Sequence, residues 1–586
     1  MTLLGTAETF KADWVDGLVS AYGRTVRRVP DAFGVVGRHV PRPGKVAVII
    51  GGGCGHYPAF AGLVGEGLAD AAVIGDVFTS PSAEQVYRTA RAADGGAGVL
   101  FSFGNYAGDI MHFGLAGRRL AGEGIDNRTV LVTDDVATGS AEHTDDRRGV
   151  AGGLFVFKVA GAAAERGEDL AGVEAAARKA NAATRTFGIA FDGCTLPGQT
   201  EPLFTVDAGH MELGLGIHGE PGVRTAERVG ADEIADILVD AVLAELPDVG
   251  DGRVAVVVNG LGRTKYEELF VCYGQIHRRL AAAGLRPHRP EVGEFVTSLD
   301  MAGLSLSLMV LDDELATLYD APCDTPAFRS VAPHSVADTA DDLPAAAPAP
   351  GDAVEIPAAG GGIAGDLLAA ALEAVQKEED NLGRLDAVAG DGDHGLGMVR
   401  GLRGALAAAR SSGVDGDDAS SVGSALLAAG TAMADAAGGA SGALYGVLLT
   451  EIGSALARSG ERDVTLPLLT DAVDAAYDAV VELGGAKVGD KTMLDALDPF
   501  RRALREQAGA SVAQAWPVAA DAAADAAAAT AGMVAKTGRA ARLGDRGRGS
   551  PDPGATSLAV IAEATATVLA ARCGTSAGNP SEEAQA

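Results

Sequence analysis

The sequence predicts a multidomain protein, with an N-terminal α/β domain of two sub-layers and a C-terminal all-α barrel or bundle of about eight helices. Its 586 residues are enough for two to four domains of about 100–200 residues each. Strand and helix patterns alternate over residues 1–334, whereas residues 361–574 show almost no strand pattern. Residues 335–360, rich in Pro, Ala and Asp, predict a linker, and 575–586 a disordered tail.

Short β-branched runs in the first domain predict buried strands of a mostly parallel sheet, because amphipathic helical patterns lie between them. Two such helical patterns are Ser82–Ala93 and Ala231–Leu246. The predicted strands are Lys45–Ile50, Val99–Phe103, Thr129–Thr133, Arg253–Asn259 and Leu304–Leu311.

Long Ala- and Leu-rich patterns in the second domain predict seven or eight helices, and small side chains favour close packing between them. The clearest are Gly365–Asn381, Ser420–Ala436, Leu466–Leu483 and Ser511–Val534.

The composition excludes several classes of protein. A net charge of -32, from 47 Lys and Arg against 79 Asp and Glu, disfavours nonspecific binding to nucleic acid or an anionic membrane. No secretory signal and no membrane span are expected, since no charge-free apolar run of about 18 residues occurs. The five cysteines lack a CxxC pair, which predicts free thiols in a reducing cytoplasm.

Three glycine-rich segments in the first domain carry candidate chemistry. Gly51–Pro58 follows a predicted strand and contains His56, with Pro58 placed to open a helix. Asp109 lies just past another strand, where open α/β sheets bind ligands; a helix N-cap is the alternative. His218 lies among four glycines, which suits an exposed imidazole acting as nucleophile or acid–base group, although a structural histidine is the commoner case.

Asp386, Asp391 and Asp393 lie within eight residues of the second domain and predict a site for a hard cation such as Mg²⁺. An EF-hand does not fit, because Leu402 stands where the twelfth-position Glu belongs. The loop at 484–492 is not a Walker A motif, since Asp490 precedes the Lys-Thr pair and no strand leads into it.

These motifs, in this order, resemble the dihydroxyacetone kinase family in its single-chain, ATP-dependent form. GGGCGHYPAFAG, DVFTSPSAEQV, FGNYAGD and GLGIHGEPG resemble its ketose-binding K domain. LDAVAGDGDHG, GGASGALYG, GDKTMLDAL and GRAARLGDRGRGSPDPGA resemble its nucleotide-binding L domain, an eight-helix barrel. The resemblance covers nearly the whole chain except the linker, and it implies a kinase that uses ATP and Mg²⁺.

The resemblance implies a role for each matching residue of the first domain. His218 matches the histidine that adds to the ketone as a covalent hemiaminal, Asp109 the general base, and His56 a hydrogen-bonding partner of the substrate. A neutral imidazole adds to a ketone but not to glycerol, which supplies discrimination. The implied substrate-binding residues are Gly53, Cys54, Gly55, His56, Tyr57, Gly104 and Asp109.

The resemblance also implies the nucleotide site and the assembly. Asp386, Asp391 and Asp393 match the Mg²⁺ ligands, and the family's domains come together, often across a dimer, so a homodimer is expected. The implied nucleotide-binding residues are His394, Gly395, Leu396, Gly397, Ala440, Ser441, Gly485, Met493, Arg539, Asp552, Pro553 and Gly554.

Three departures from the family pattern concern the substrate. Tyr57 replaces an acid, Gly104 replaces a lysine and Cys54 replaces a serine. The lost cation opens space beside the ketose, so dihydroxyacetone and a four-carbon ketose such as erythrulose both remain as substrates. A phosphotransferase-system regulatory or carrier protein with permanently bound ADP is the alternative function. Nothing selects for a flavin-nucleotide cyclase.

Overall fold

Two compact units, Met1–Thr339 and Ala340–Ala586, make up the chain. The computed structural model describes residues 4–140, 142–331, 356–388, 390–537, 541 and 544–575. Most of the predicted linker and almost all of the predicted tail lie outside these residues. The domain boundaries therefore stay predictions.

A six-stranded sheet forms the first layer of the N-terminal unit. Its spatial order is β1-β2-β4-β3-β5-β6, and β4, β3, β5 and β6 run parallel, whereas β1 and β2 add an antiparallel edge. The strands are β1 (Val26–Arg28), β2 (Gly34–Gly37), β3 (Ala47–Cys54), β4 (Ala71–Val77), β5 (Val99–Gly104) and β6 (Asn127–Val132).

A second six-stranded sheet, in the order β11-β10-β12-β7-β8-β9, forms the other layer. The two predicted sub-layers are confirmed, but the expectation of a mostly parallel sheet is wrong here, since only β10 and β11 are parallel. The short, exposed β9 carries no apolar run that would reveal it. The strands are β7 (Thr184–Asp192), β8 (His210–Leu213), β9 (Arg224–Glu227), β10 (Arg253–Gly260), β11 (Arg286–Gly293) and β12 (Ala302–Val310), and β13 (Cys323–Asp324) and β14 (Arg329–Ser330) form a separate hairpin.

Helices cover the sheets and leave the strand ends open. Helix α4 is buried along almost its whole length, and its Gly161 lies against the backbone of Leu68. The helices are α1 (Phe10–Ala21), α2 (Ala83–Ala93), α3 (Ala107–Gly122), α4 (Gly153–Glu165), α5 (Leu170–Ala183), α6 (Ala231–Leu243), α7 (Tyr266–Ala282) and α8 (Asp313–Asp320). The carboxyl ends of β3, β4, β5 and β6 meet at one edge, which places the following loops together.

The C-terminal unit is helical throughout its described residues, as predicted. Successive packing contacts close a ring of eight helices, α9-α11-α12-α13-α14-α15-α16-α17, with α10 as a short connection. The predicted pattern Gly365–Asn381 is divided between α9 and α10, which brings the described helices to nine. They are α9 (Gly362–Lys377), α10 (Glu379–Ala387), α11 (His394–Ser411), α12 (Ala419–Ala437), α13 (Gly439–Arg458), α14 (Leu466–Gly484), α15 (Leu494–Glu506), α16 (Val512–Ala529) and α17 (Pro553–Thr575).

Small residues bring α12 and α13 into close contact, as the composition predicts. A Cβ on Gly430 would lie 2.8 Å from the carbonyl oxygen of Gly446, and one on Gly453 would lie 2.7 Å from that of Gly423. Apolar side chains of the ring line an open cavity of about 2710 Å³, a volume that includes space open to solvent. By length and composition, Gly439–Arg458 and Pro553–Arg572 are apolar enough to cross a membrane, and each packs between two neighbouring helices of the ring.

We expect Gly161→Ala to destabilise the N-terminal unit. Its new Cβ would lie 1.9 Å from the carbonyl oxygen of Leu68, and overpacking of this kind costs about 1–3 kcal/mol. Gly114→Ala is the matched control, because Gly114 lies in α3 with no atom within 4 Å of the added Cβ. Thermal unfolding should show a lower midpoint for the first variant and an equal or higher one for the second. Equal midpoints would contradict the assigned packing.

Candidate active site

Two histidines face each other at the meeting point of the two sheets. His56 follows β3, His218 lies between β8 and β9, and their Nε2 atoms are 3.0 Å apart. Nδ1 of His56 is 2.7 Å from the carbonyl oxygen of Thr297, an acceptor, so Nδ1 carries the proton and Nε2 accepts. Burial, together with the charge of His218, lowers the pKa of His56 to about 3, so its ring is neutral near pH 7. Nδ1 of His218 lies 2.9 Å from Oε1 of Glu220.

Aromatic rings hold both imidazoles in place. Phe78 stacks on His56 with 5.0 Å between ring centroids, and it meets His218 edge-on at 5.4 Å. Tyr106 meets His218 edge-on at 4.8 Å, while its hydroxyl donates to the carbonyl oxygen of Gly149. The ring of His218 therefore has little freedom to rotate away from His56.

Asp109 lies in the first turn of α3, directly after β5. The alternative that it caps this helix is not what the structure shows, because the N-cap residue is Tyr106. Asp109 is buried, and its Oδ1 has no hydrogen-bond partner among the described residues. Burial raises the pKa of Asp109 to about 6, against the opposing effects of a Ser80 hydrogen bond and the charge of His218. A carboxylate with one unbonded oxygen and a raised pKa is suited to accept a proton.

These groups line an open cavity of about 440 Å³, a volume that includes space open to solvent. Gly51 and Gly53 belong to β3 and expose backbone to the cavity, and a Cβ on Gly53 would lie 2.6 Å from the backbone nitrogen of Thr79. The predicted helix opening at Pro58 is not formed, since β3 continues to Cys54 and helical structure begins only at Ala61. The lining residues are Gly51, Gly52, Gly53, His56, Phe60, Gly104, Tyr106, Asp109, Val132, Gly149, Val150, Gly153, Phe157, Ile217, His218 and Val296.

The structure brings five of the predicted residues, Gly53, His56, Gly104, Asp109 and His218, to this cavity. The other three predicted substrate-binding residues are Cys54, Gly55 and Tyr57.

Cys54, Gly55 and Tyr57 are not among the lining residues of this described cavity. The ring of Tyr57 is 40% exposed and packs edge-on against Trp14, with 6.2 Å between centroids. Burial raises the pKa of the Cys54 thiol to about 11, so this thiol stays neutral.

The predicted cation site of the C-terminal unit brings three carboxylates together. One oxygen from each of Asp386, Asp391 and Asp393 lies within 4.8 Å of the others. Oδ2 of Asp386 also accepts from the backbone N–H groups of Gly392, at 2.8 Å, and Asp393, at 3.2 Å, which shapes the loop. This set of hard oxygen donors fits a divalent cation such as Mg²⁺.

Three helix N-termini converge beside these carboxylates. His394 begins α11, and its ring reaches Ser441 in the first turn of α13 and Ser557 near the start of α17, at 3.2 and 2.9 Å. Ser557 also lies 2.8 Å from the hydroxyl of Tyr445. Because α11 and α13 begin without a side-chain cap and each of the three helices presents a positive dipole end, the cluster is suited to phosphate groups.

Asp552 and Lys491 organise the segment that leads into α17. Asp552 accepts from the backbone N–H of Ala555 at 2.7 Å, and burial raises its pKa to about 6. Lys491 is buried and donates to the carbonyl oxygens of Gly547 and Ser550, at 2.6 and 2.8 Å.

Most of the predicted nucleotide-binding residues lie at these helix starts. His394, Gly395, Leu396 and Gly397 form the first turn of α11, Ala440 and Ser441 that of α13, and Asp552, Pro553 and Gly554 begin α17. Met493 is adjacent, since a Cβ on Gly554 would lie 3.5 Å from its Cβ. Gly485 is the C-cap of α14, and Arg539 lies outside the described residues.

Four supporting residues have no assigned role in the sequence-based prediction. Glu220 is inside a glycine-rich segment, but only its contact with His218 shows what it does. Thr297, Tyr445 and Ser557 lie 112 to 241 residues from their partners, so no local spacing could connect them.

The N-terminal unit has a cavity lined by imidazole and carboxylate groups, and the C-terminal unit has a cluster of carboxylates and helix N-termini suited to phosphates. These two features are typical of the class of small-molecule phosphotransferases. The known proteins to which this chain is similar point the same way. A Dak1 domain matches residues 16–327 and a DAK2 domain matches residues 388–567.

Two curated relatives from Mycolicibacterium smegmatis are each 51% identical to this chain. The D-erythrulose kinase is covered over 96% of its length by 95% of this chain, and the L-erythrulose 1-kinase over 98% by 96%. The dihydroxyacetone kinase of C. freundii, solved in complex with AMP-PNP and Mg²⁺, has a TM-score of 0.58 and 30% identity, with 97% of this chain and 99% of that chain covered. The chain therefore belongs to the dihydroxyacetone kinase family, in the form that joins both domains in one chain.

We expect Asp391→Asn to weaken Mg²⁺ binding by about tenfold or more, because one of three charged ligands becomes neutral. Isothermal titration of Mg²⁺ in the presence of AMP-PNP measures the effect. Asp380→Asn, an exposed carboxylate on the neighbouring α10, is the control and should bind as the unaltered chain does. Equal affinities for both variants would exclude Asp391 as a ligand.

Proposed function

We propose that this chain is an ATP-dependent kinase that phosphorylates the terminal hydroxyl of a short-chain ketose. The coarser statement, a ketose kinase that uses ATP and Mg²⁺, follows from family membership and from relatives that span the whole chain. The observation that carries the finer proposal is a single cavity lined by both His218 and Asp109.

His218 holds the ketose by covalent capture in this proposal. The Nε2 lone pair bonds to the ketone carbon, and the carbonyl π electrons move to the oxygen, which takes up a proton from solvent. The product is a hemiaminal, which an alcohol such as glycerol cannot form. The aromatic contacts of Phe78 and Tyr106 favour this geometry, because they keep the ring directed at the cavity.

Asp109 acts as the general base in this proposal. Its unbonded Oδ1 accepts the proton of the substrate's terminal hydroxyl, and the resulting oxygen nucleophile attacks the terminal phosphorus of ATP. The bond from that phosphorus to its bridging oxygen breaks, and ADP leaves. Asp386, Asp391 and Asp393 would hold Mg²⁺, which when bound neutralises phosphate charge. The N-termini of α11 and α13 orient the phosphates through their N–H groups.

Gly104 lines the cavity where the ring of Tyr106 packs against it. A Cβ at this position would lie 2.7 Å from the ring of Tyr106 and 3.3 Å from the carbonyl oxygen of Gly149, so Tyr106 fills the space that a side chain would occupy. We propose erythrulose ahead of dihydroxyacetone as the substrate, because two relatives that match nearly the whole chain at 51% identity are erythrulose kinases.

We also propose that the enzyme is a cytoplasmic homodimer. Cys54, Cys194, Cys272 and Cys323 are buried and unpaired, which suits a reducing compartment. Sedimentation equilibrium tests the dimer, and a mass of one chain would exclude it. Exchange of bound nucleotide separates a kinase from a carrier protein, because permanently held ADP would not exchange with ATP.

We expect kcat/KM to be higher for an erythrulose enantiomer than for dihydroxyacetone, in an ADP-release assay that also includes glyceraldehyde and glycerol. Gly104→Ala should lower kcat/KM for both ketoses by about tenfold, because its methyl group would displace the ring of Tyr106 that packs against His218. Tyr57→Phe is the control and should leave both kcat/KM values unchanged, since Tyr57 does not line the cavity. A clear preference for dihydroxyacetone would overturn the four-carbon proposal.

We expect kcat to fall as the pH drops through about 6 with Mg-ATP saturating. The folded-state pKa of Asp109 is raised to about 6, so the base is ionised above that pH and protonated below it. The Ser80 hydrogen bond lowers this pKa, so Ser80→Ala should move the midpoint to higher pH. An unmoved midpoint would assign the titration to another group, such as Asp552, whose pKa is also about 6.

A further inference from the structure

We propose that Glu220 is the positioning residue that prepares His218 for attack on the substrate carbonyl. It holds the proton of His218 on Nδ1 and balances the positive charge that the ring gains in the adduct. This inference rests on the proposed covalent capture and adds a residue to it.

Glu220 contacts His218 through both carboxylate oxygens. Oε1 is 2.9 Å from the ring Nδ1, and Oε2 accepts from the backbone N–H of His218 at 3.0 Å. The carboxylate therefore contacts the side chain and the backbone of His218 at the same time. A two-point contact of this kind fixes the direction of the ring as well as its distance.

The surrounding loop is built to admit this carboxylate. A Cβ on Gly216 would lie 2.0 Å from Oε2 of Glu220, so only glycine leaves room for it. The backbone N–H of Gly216 also donates to the carbonyl oxygen of Glu220 at 3.0 Å, which closes the turn. Arg148 lies 3.8 Å from Oε2, but its guanidinium is paired more closely with Asp135, at 2.8 Å. The carboxylate of Glu220 is therefore paired mainly with His218.

Glu220 determines which nitrogen of His218 is nucleophilic. Burial raises the pKa of Glu220, but the hydrogen bond and charge of His218 outweigh burial and lower it to about 2. An ionised carboxylate only accepts hydrogen bonds, so Nδ1 must carry the proton. Once the proton that Nε2 shares with His56 has left, the ring is neutral and has its lone pair on Nε2, the atom that faces His56 and the cavity.

The same contact stabilises the adduct. When Nε2 bonds to the ketone carbon, Nδ1 keeps its proton and the ring acquires one positive charge, while the former carbonyl oxygen becomes a hydroxyl after protonation. Glu220 faces that charge at 2.9 Å in a partly buried site, where ion pairing is less screened than in water. On the other side of the ring stands His56, which is neutral and contributes no opposing charge.

The test compares Glu220→Gln with the unaltered chain in two measurements. Intact-mass titration with erythrulose reports the covalently occupied fraction, and we expect about 10–100-fold weaker capture, by analogy with the loss when the hydrogen-bonding partner of a metal-ligating histidine is removed. Nitrogen-15 NMR of labelled histidine reports the tautomer, and we expect a Nδ1–H ring in the unaltered chain and a mixture in the variant. Glu220→Asp keeps the charge and should recover part of the capture.

Glu227→Gln is the control, because Glu227 is an exposed carboxylate on neighbouring β9, and it should behave as the unaltered chain in both measurements. Unchanged capture and an unchanged tautomer in Glu220→Gln would overturn the role of Glu220 while leaving covalent capture intact. Absence of an adduct in the unaltered chain would instead overturn covalent capture and, with it, this role. If Glu220→Gln does not fold, a neutral Nε2–H ring in the unaltered chain still overturns the proposal.

Discussion

The opposition of two imidazoles across 3.0 Å is the interaction on which the substrate site depends. Each ring has its far nitrogen occupied, His56 by the carbonyl of Thr297 and His218 by the carboxylate of Glu220. The near nitrogens are therefore the only ones left to act. Thr297 and His218 lie in loops of the second sheet, and His56 follows a strand of the first sheet. Residues from both sheets are therefore needed to position Nε2 of His218.

In the helical unit, the main constraint is the negative charge that carboxylates and bound phosphates would bring together. Three carboxylates fit a divalent cation, and the N-termini of α11 and α13 supply N–H groups beside them. The buried ring of His394 ties the starts of α13 and α17 to α11, and burial lowers the pKa of this ring. Because this ring is neutral, it joins the three helix starts without adding a charge beside the helix ends that are suited to bind phosphates.

Local motifs could be predicted from sequence, because their residues are neighbours along the chain. Asp109 follows β5 and His218 lies in a glycine-rich turn, and both line the cavity. Tyr57 shows the limit, since packing against Trp14 turns its ring away, and nothing within its own segment determines that direction. The antiparallel second sheet and the bond from His56 to Thr297 depend on contacts between distant residues, which periodicity does not encode.

The proposed reaction depends on a covalent bond between His218 and the ketone carbon of the substrate. NMR of protein labelled with nitrogen-15 at histidine, mixed with erythrulose labelled with carbon-13 at the ketone carbon, tests this bond. Covalent capture predicts a one-bond coupling between that carbon and a ring nitrogen, Nε2, which disappears in His218→Ala. A bound substrate whose labelled carbon remains a carbonyl or its hydrate, with no coupling to nitrogen, would exclude covalent capture.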